Sequence, residues 1–189
     1  MKVIKAKTAG FCFGVKRAVD TVYKQVDTKC GQIYTYGPII HNEEVIKDMR
    51  DKGVIVLRSE EDLDMISQGT VIIRSHGVEK RIYEKIEQKG LRIVDATCPF
   101  VKKIHNIVSE KSGEGFHIII IGNPEHPEVV GIKGWAKDNV TVIQSAEDAE
   151  CFTADRKEKI CIVSQTTFNY NKFKDLVEII MKKSYEDRK

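Results

Sequence analysis

Two cysteines directly precede segments of helical periodicity. At the N-terminus of a helix, a thiol can bind a metal or react as a nucleophile. Cys98 lies between the strand-like residues 91–94 and an amphipathic segment that begins at Pro99, and Cys12 lies in a glycine-flanked loop ahead of another such segment. The free N–H groups and the dipole of a helix N-terminus favour a thiolate, which is the form that binds metals or attacks electrophiles. The alternative for either residue is an ordinary buried free cysteine.

Other polar side chains recur after predicted strands and mostly before predicted helices. They are His41, His76, His126, Glu128 and Thr166. In open parallel sheets this edge is where ligands bind, and helix N-termini there also favour phosphate or other anions. A single histidine is more often a hydrogen-bonded structural residue, but three in one topological position favour a site. The remaining histidines and cysteines are interpreted as structural or packed: His105, His117, Cys30, Cys151 and Cys161.

The elements that position these residues alternate between strand and helix along the whole chain. This alternation predicts an α/β fold with two similar units, each with a mainly parallel sheet. Strands are predicted at residues 3–7, 32–36, 54–57, 70–74, 91–94, 117–121, 140–143 and 159–163. The predicted division is an N-terminal strand and Cys12 loop over 1–13, a first unit over 14–97 and a second over 98–189. The apolar face of the last helix is predicted to comprise Phe173, Leu176, Val177, Ile180 and Met181.

Composition excludes several classes of protein. The 31 Lys and Arg residues are mixed with 28 Asp and Glu residues, which gives little support to nucleic-acid binding. No apolar run approaches the roughly 20 residues of a membrane span, and a strand pattern rather than a signal peptide follows Met1, so we expect a cytoplasmic protein without a membrane partner. The odd number of cysteines, five, argues against a disulfide framework.

Six motifs carry a family resemblance. They are Gly10-Phe11-Cys12-Phe13-Gly14-Val15, Ile40-His41-Asn42, Ser75-His76-Gly77-Val78, Asp95-Ala96-Thr97-Cys98-Pro99, Gly122 with His126-Pro127-Glu128-Val129, and Gln165-Thr166-Thr167. Each is weak alone, but together and in this order they resemble the LytB family of 4-hydroxy-3-methylbut-2-enyl diphosphate reductases. The resemblance implies an oxidoreductase of the methylerythritol phosphate route to isoprenoids. Such an enzyme removes the allylic hydroxyl of its small-molecule diphosphate substrate to give isopentenyl and dimethylallyl diphosphates.

The resemblance also implies roles for individual residues. Cys12 and Cys98 match two of three cysteines that hold a 4Fe–4S cluster, whose open iron binds the substrate oxygen while the cluster passes electrons from a donor such as ferredoxin or flavodoxin. Glu128 matches the acid that supplies protons toward the leaving hydroxyl, and a neighbouring anionic diphosphate favours its protonated form. The residues that match the substrate-binding positions are His41, His76, His126, Thr166 and Thr167.

The family is longer than this chain. The resemblance implies a three-unit, trefoil-like arrangement in which the third unit and the third cysteine ligand lie beyond this chain, so the activity of the chain alone is left open. Cys151 and Cys161 do not match the missing ligand. The alternative is a non-catalytic module that holds a metal, a labile cluster or phosphate with the same cysteines and histidines, although the absence of a close Cys-x-x-Cys pair argues against structural zinc.

Overall fold

The computed structural model describes residues 2–28, 31–153 and 158–186, with side chains described through residue 183. Within these ranges, helices and strands alternate and both sheets are wholly parallel. The α/β fold with parallel sheets is therefore confirmed. The chain forms two compact units. One comprises the residues up to Ser75 together with Lys85–Pro99, and the other comprises His76–Glu84 together with the residues from Phe100 onward.

The first unit contains a four-stranded sheet with the order β2-β1-β3-β4. The strands are β1 Ile33–Tyr36, β2 Ile55–Leu57, β3 Thr70–Ile73 and β4 Arg92–Asp95. The helices of this part of the chain are α1 Phe13–Thr28, α2 Glu43–Asp51, α3 Glu60–Asp64 and α4 Lys80–Gln88. Every residue of β3 is buried, as expected for a central parallel strand that is covered on both faces. On one face, Ala18 and Val22 of α1 belong to the same apolar cluster as Ile72 of β3.

The second unit contains a three-stranded sheet with the order β6-β5-β7. The strands are β5 His117–Ile121, β6 Val140–Ile143 and β7 Ile160–Ser164. The helices are α5 Pro99–Gly113, α6 Pro127–Lys133, α7 Ala146–Cys151 and α8 Tyr170–Glu186. Residues 118–121 of β5 are four fully buried isoleucines that alternate between two apolar clusters, so β5 is the central layer of this unit.

Two predictions about local structure were wrong. Residues 3–7 form no strand, because the segment pairs with neither described sheet, and Val3 and Ile4 are 84% and 78% exposed. Cys12 therefore precedes a helix without following a strand. In α8, Leu176 and Ile180 are buried as predicted, whereas Met181 is 49% exposed because it lies at the edge of the apolar face. The predicted packing of Cys30 falls outside the described residues.

The segment His76–Glu84 groups with the second unit, although it follows β3 of the first sheet directly. Two hydrogen bonds explain this placement, one from the Trp135 indole N–H to the Val78 carbonyl (2.9 Å) and one from the Lys80 N–H to the Gly134 carbonyl (3.4 Å). The alternation of strands and helices does not predict these contacts, because they join residues more than fifty positions apart. None of the described helices combines the length and apolar character needed to cross a membrane.

Candidate functional site

In the first unit, the Cys98 thiol lies against the first turn of α1. A Cβ atom added to Gly14 would lie 2.6 Å from Cys98 Sγ, so the absence of a side chain on Gly14 is what lets the thiol approach the helix. Cys12 precedes this turn, and its carbonyl accepts the Lys16 N–H at 2.9 Å. Both cysteines are free thiols, Cys12 exposed and Cys98 partly buried. The fold therefore places both cysteines at the start of α1, with the Cys98 thiol in contact with its first turn.

Arg17 fixes the loop that carries Cys98. Its guanidinium donates to the carbonyl oxygens of Thr97 (2.9 Å) and Asp95 (3.3 Å). The Asp95 carboxylate accepts the Thr97 N–H at 2.9 Å, which closes a tight turn just ahead of the cysteine. Because Arg17 lies one turn after Gly14 on α1, the same helix contacts the thiol and holds the loop in position.

Ser75 joins the Cys98 loop to the loop that precedes His41. The Ser75 N–H and hydroxyl both donate to the Ile39 carbonyl, at 3.2 and 3.0 Å, and the Ser75 carbonyl accepts the Cys98 N–H at 2.9 Å. Ser75 is buried, so these hydrogen bonds are protected from water. His41 is exposed and precedes Asn42, whose side chain caps α2 by accepting the Val45 N–H at 3.0 Å.

In the second unit, Glu128 and Thr166 form a hydrogen-bonded pair. Glu128 is only 2% exposed, and its Oε1 accepts the Thr166 backbone N–H at 2.6 Å while its Oε2 accepts the Thr166 hydroxyl at 2.8 Å. Thr166 itself is exposed. A backbone N–H is a fixed donor, whereas a hydroxyl can rotate to accept. When Glu128 is protonated, its proton therefore belongs on Oε2, facing the Thr166 hydroxyl.

His126 is the N-cap of α6, and its ring lies edge-on to that of His76. The ring centroids are 5.6 Å apart, and His126 Nδ1 accepts the Glu128 N–H at 3.1 Å. Since Nδ1 is an acceptor in this geometry, a neutral His126 carries its proton on Nε2, from which it can donate to a ligand. The second unit thus brings together His76, His126, Glu128 and Thr166 of the predicted site residues.

Gln165 is a site residue to which sequence reasoning assigned no role. Its side chain is buried, donates to the Thr167 hydroxyl at 2.9 Å and accepts the Asn123 N–H at 3.2 Å, so it ties the Thr166 loop to the loop after β5. Gly122 allows this packing, because a Cβ there would lie 2.8 Å from Val129 Cγ2 and 2.9 Å from Gln165 Cβ.

We therefore expect Gly122→Ala to destabilise the chain by about 1–3 kcal/mol through overpacking. That loss corresponds to a decrease in Tm of about 2–4 °C per kcal/mol for a chain of this size, measurable by differential scanning calorimetry. Gly113→Ala is the matched control, since Gly113 lies in α5 with nothing within 4 Å of its added Cβ, and it should be neutral or stabilising. Equal Tm values for Gly122→Ala and the parent chain would contradict the packing argument.

The other histidines and cysteines have mostly structural surroundings. His105 is buried and stacks on Trp135 with ring centroids 5.0 Å apart, and the His117 ring hydrogen-bonds Glu158 at 2.9 Å and Thr141 at 2.8 Å. Burial raises the pKa of the Cys161 thiol, which keeps this strand residue protonated. Cys151 was predicted to be packed, but it is exposed at the end of α7.

The donor set around α1 fits an iron–sulfur cluster. Thiolates are the usual ligands of such clusters, and Cys98 Sγ lies against Gly14 in the first turn of the helix that Cys12 directly precedes. Cys12 and Cys98 are the residues that would hold the cluster. Neither Cys151 at the end of α7 nor Cys161 in β7 belongs to this unit.

The fold and these residues define a class of protein. It is a parallel α/β protein that has thiols at helix N-termini in one unit and a buried carboxylate with two histidines in the other. The family model described as "LytB protein" matches residues 3–189. The chain therefore belongs to the LytB family.

Curated relatives agree with this assignment. The chain is 45% identical over 187 residues to the 4-hydroxy-3-methylbut-2-enyl diphosphate reductase of Caldanaerobacter subterraneus subsp. tengcongensis, covering 98% of this chain and 64% of the relative. It is 42% identical to the protein of that name from Clostridioides difficile, covering 96% of this chain and 67% of the relative. The chain thus spans somewhat under two thirds of the length of several relatives that it matches.

Solved structures also match. The E-1-hydroxy-2-methyl-but-2-enyl-4-diphosphate reductase from Plasmodium falciparum matches with a TM-score of 0.87 at 30% identity, covering 94% of this chain and 55% of that structure. A second structure, described as (E)-4-hydroxy-3-methyl-but-2-enyl diphosphate reductase, the terminal enzyme of the non-mevalonate pathway, matches with a TM-score of 0.80 at 37% identity, covering 96% of this chain and 64% of that structure.

Proposed function

We propose that this chain supplies two units of a 4-hydroxy-3-methylbut-2-enyl diphosphate reductase. The observation that carries the proposal is the buried Glu128 carboxylate, which is held by the exposed Thr166 at 2.6 and 2.8 Å beside the His126 cap. The contact places a buried carboxyl group within hydrogen-bond reach of an exposed hydroxyl, which is the geometry that proton delivery by a general acid requires. The names of the relatives and solved structures support the same reaction.

In this proposal, Glu128 delivers its proton through Thr166. The proton leaves Glu128 Oε2 for Thr166 Oγ1 as the hydroxyl releases its own proton toward the leaving oxygen of the substrate. This relay lets a buried acid act on a substrate outside the protein core, because the accepting hydroxyl is exposed. Thr167, whose hydroxyl accepts from Gln165, is assigned to substrate positioning beside it.

We assign the diphosphate group to His41, His76 and His126. In this proposal the Nε2–H of His126 donates to a phosphate oxygen while Nδ1 continues to cap α6. A 4Fe–4S cluster, held by Cys12, Cys98 and a third cysteine outside this chain, would supply the electrons and a coordination position for the allylic oxygen. The electron donor would be a small redox protein such as ferredoxin or flavodoxin.

The test compares this chain with a chimera that joins it to the C-terminal segment of the Caldanaerobacter relative. Each protein is treated anaerobically with iron and sulfide, and iron per protein, visible absorbance and consumption of the allylic diphosphate with a chemical reductant are measured. We expect the chimera to hold iron and turn over, and this chain alone to bind iron weakly and to leave the substrate unchanged. Two thiolates anchor a four-iron cluster less firmly than three.

The parental relative and circular dichroism serve as controls for activity and folding. Steady turnover by this chain alone would show that the added segment is dispensable. A folded chimera that holds iron but leaves the substrate unchanged would refute the reductase function and favour a non-catalytic metal- or phosphate-binding module.

A further inference from the structure

A charged cavity of about 560 Å³ lies in the first unit, where β1, β2 and β3 end. Gly37, Arg58 and Arg74 each follow one of these three neighbouring strands and line the cavity, with α2 along its side. The carboxyl edge of a parallel sheet is the usual place for a ligand site. None of the residues assigned above to the cluster, the diphosphate or the proton lines this cavity. Its charged lining residues are Glu43, Glu44, Lys47, Arg50, Arg58 and Arg74.

The cations of this cavity exceed its anions. Lys47, Arg50 and Arg58 form no ion pair within 4.0 Å to any carboxylate among residues 2–28, 31–153 and 158–183. Glu43 and Glu44 line the same space but lie in the first turn of α2, where the helix dipole favours negative charge. The cavity therefore presents positive charge that these two acids only partly offset.

Arg74 is the most buried of the four cations. Its side chain is half-buried, whereas those of the other three are exposed, and burial lowers the pKa of its guanidinium. The guanidinium lies against Gly37, where an added Cβ would come within 2.5 Å of Nη1 and where the backbone φ is +73°. Arg74 therefore brings a positive charge to the end of β3, where it lines the cavity.

We propose that this cavity binds a phosphate-bearing small molecule, held by Arg50, Arg58, Arg74 and Lys47. Guanidinium groups match the oxygens of phosphate with two parallel hydrogen bonds, and the cavity volume lies in the range of about 300–1,000 Å³ that small-molecule sites occupy. The two glutamates oppose a long polyanion, so one or two phosphate groups fit the charge better than a nucleic acid backbone. The proposal does not depend on the proposed reductase function.

The test is a titration of the ¹⁵N-labelled chain with inorganic phosphate, pyrophosphate and ADP, followed by amide chemical shifts. The Gly37 amide reports on the cavity, and the Gly122 amide reports on the Glu128 region of the second unit. We expect a saturable shift at Gly37, with ADP and pyrophosphate distinguishing a nucleotide from an inorganic ligand. Arg58→Gln and Arg50→Gln should each weaken binding about tenfold or more, since each removes a charge-assisted hydrogen bond.

Arg92→Gln is the matched control, because Arg92 is an exposed cation at the opposite end of the same sheet. It should leave the affinity unchanged. The proposal is overturned if Gly37 does not shift with any of the three ligands, if shifts occur only around Gly122, or if Arg92→Gln weakens binding as much as Arg58→Gln does. The last result would indicate non-specific attraction to net charge. Circular dichroism of each variant establishes that it remains folded.

Discussion

Replacing Glu128 by glutamine in the chimera is expected to reduce turnover by ~10²–10⁴-fold, the range that general acid groups contribute. Glutamine has the shape of the carboxylic acid and fits the same contacts. Its oxygen can accept the Thr166 N–H in place of Oε1, and its amide can donate to the Thr166 hydroxyl, which rotates to accept. The fold, iron content and substrate affinity should therefore persist while the proton source is lost.

Two companion variants isolate the role of the proton. Glu125→Gln removes a carboxylate from the loop just ahead of α6, at an exposed position, and should leave turnover unchanged. Thr166→Val retains the backbone N–H contact but removes the relay hydroxyl, so it should also lower kcat. Measurement of kcat and KM with a chemical reductant separates loss of chemistry from loss of binding. Parental turnover by Glu128→Gln would show that the acid is elsewhere.

Most of the fold could be predicted because its signals are local. Asn42 and Ser145 both cap helices as expected for their residue types, and Pro99 and Pro127 begin helices because a first-turn residue needs no N–H partner. The strand predicted at residues 117–121 is β5, and the structure shows that its uninterrupted isoleucines are buried.

The predictions that were wrong concern features that depend on long-range contacts, which the sequence does not reveal. Residues 3–7 have the apolar pattern of a strand, but a strand exists only where a neighbour accepts its hydrogen bonds, and neither sheet of the described structure does so. The exposure of Cys151 could not be predicted for a similar reason, since the burial of a side chain depends on which elements pack nearby and not on residue type alone.

The identities of the candidate site residues could be proposed from motifs, but their partners could not. The Glu128–Thr166 pair spans 38 positions, and the contact of Arg17 with Thr97 spans 80. Gln165 and Ser75 were visible only as members of motifs, and their hydrogen bonds depend on side-chain direction within the folded units. The charged cavity of the first unit could not be predicted from the sequence either, because its charged residues are spread over residues 43–74.

Gly14 is the position where packing, and with it the proposed cluster binding, depends most directly on one missing side chain. Ordinary contacts of a Cβ atom begin near 3.4 Å, whereas a Cβ on Gly14 would lie 2.6 Å from Cys98 Sγ and 3.2 Å from Cys98 Cβ. An alanine there forces the thiol or the helix to move by roughly 0.8 Å. Metal–ligand distances vary by only about 0.2 Å, so a Cys98 thiol displaced by this amount would be a poor ligand for a cluster in the proposed position.

Gly14→Ala in the chimera is therefore expected to lose most of its bound iron after anaerobic reconstitution. The same substitution in this chain should also reduce Tm through about 1–3 kcal/mol of overpacking, a readout that needs no cluster. Gly113→Ala again serves as the control, because it adds the same methyl group to a helix without meeting a neighbour and should retain both iron and Tm. Full iron content with a reduced Tm would assign Gly14 to helix packing alone. Parental values of both quantities would show that the Cys98 thiol turns away from α1 freely, and would contradict the close packing of this thiol against the first turn of the helix.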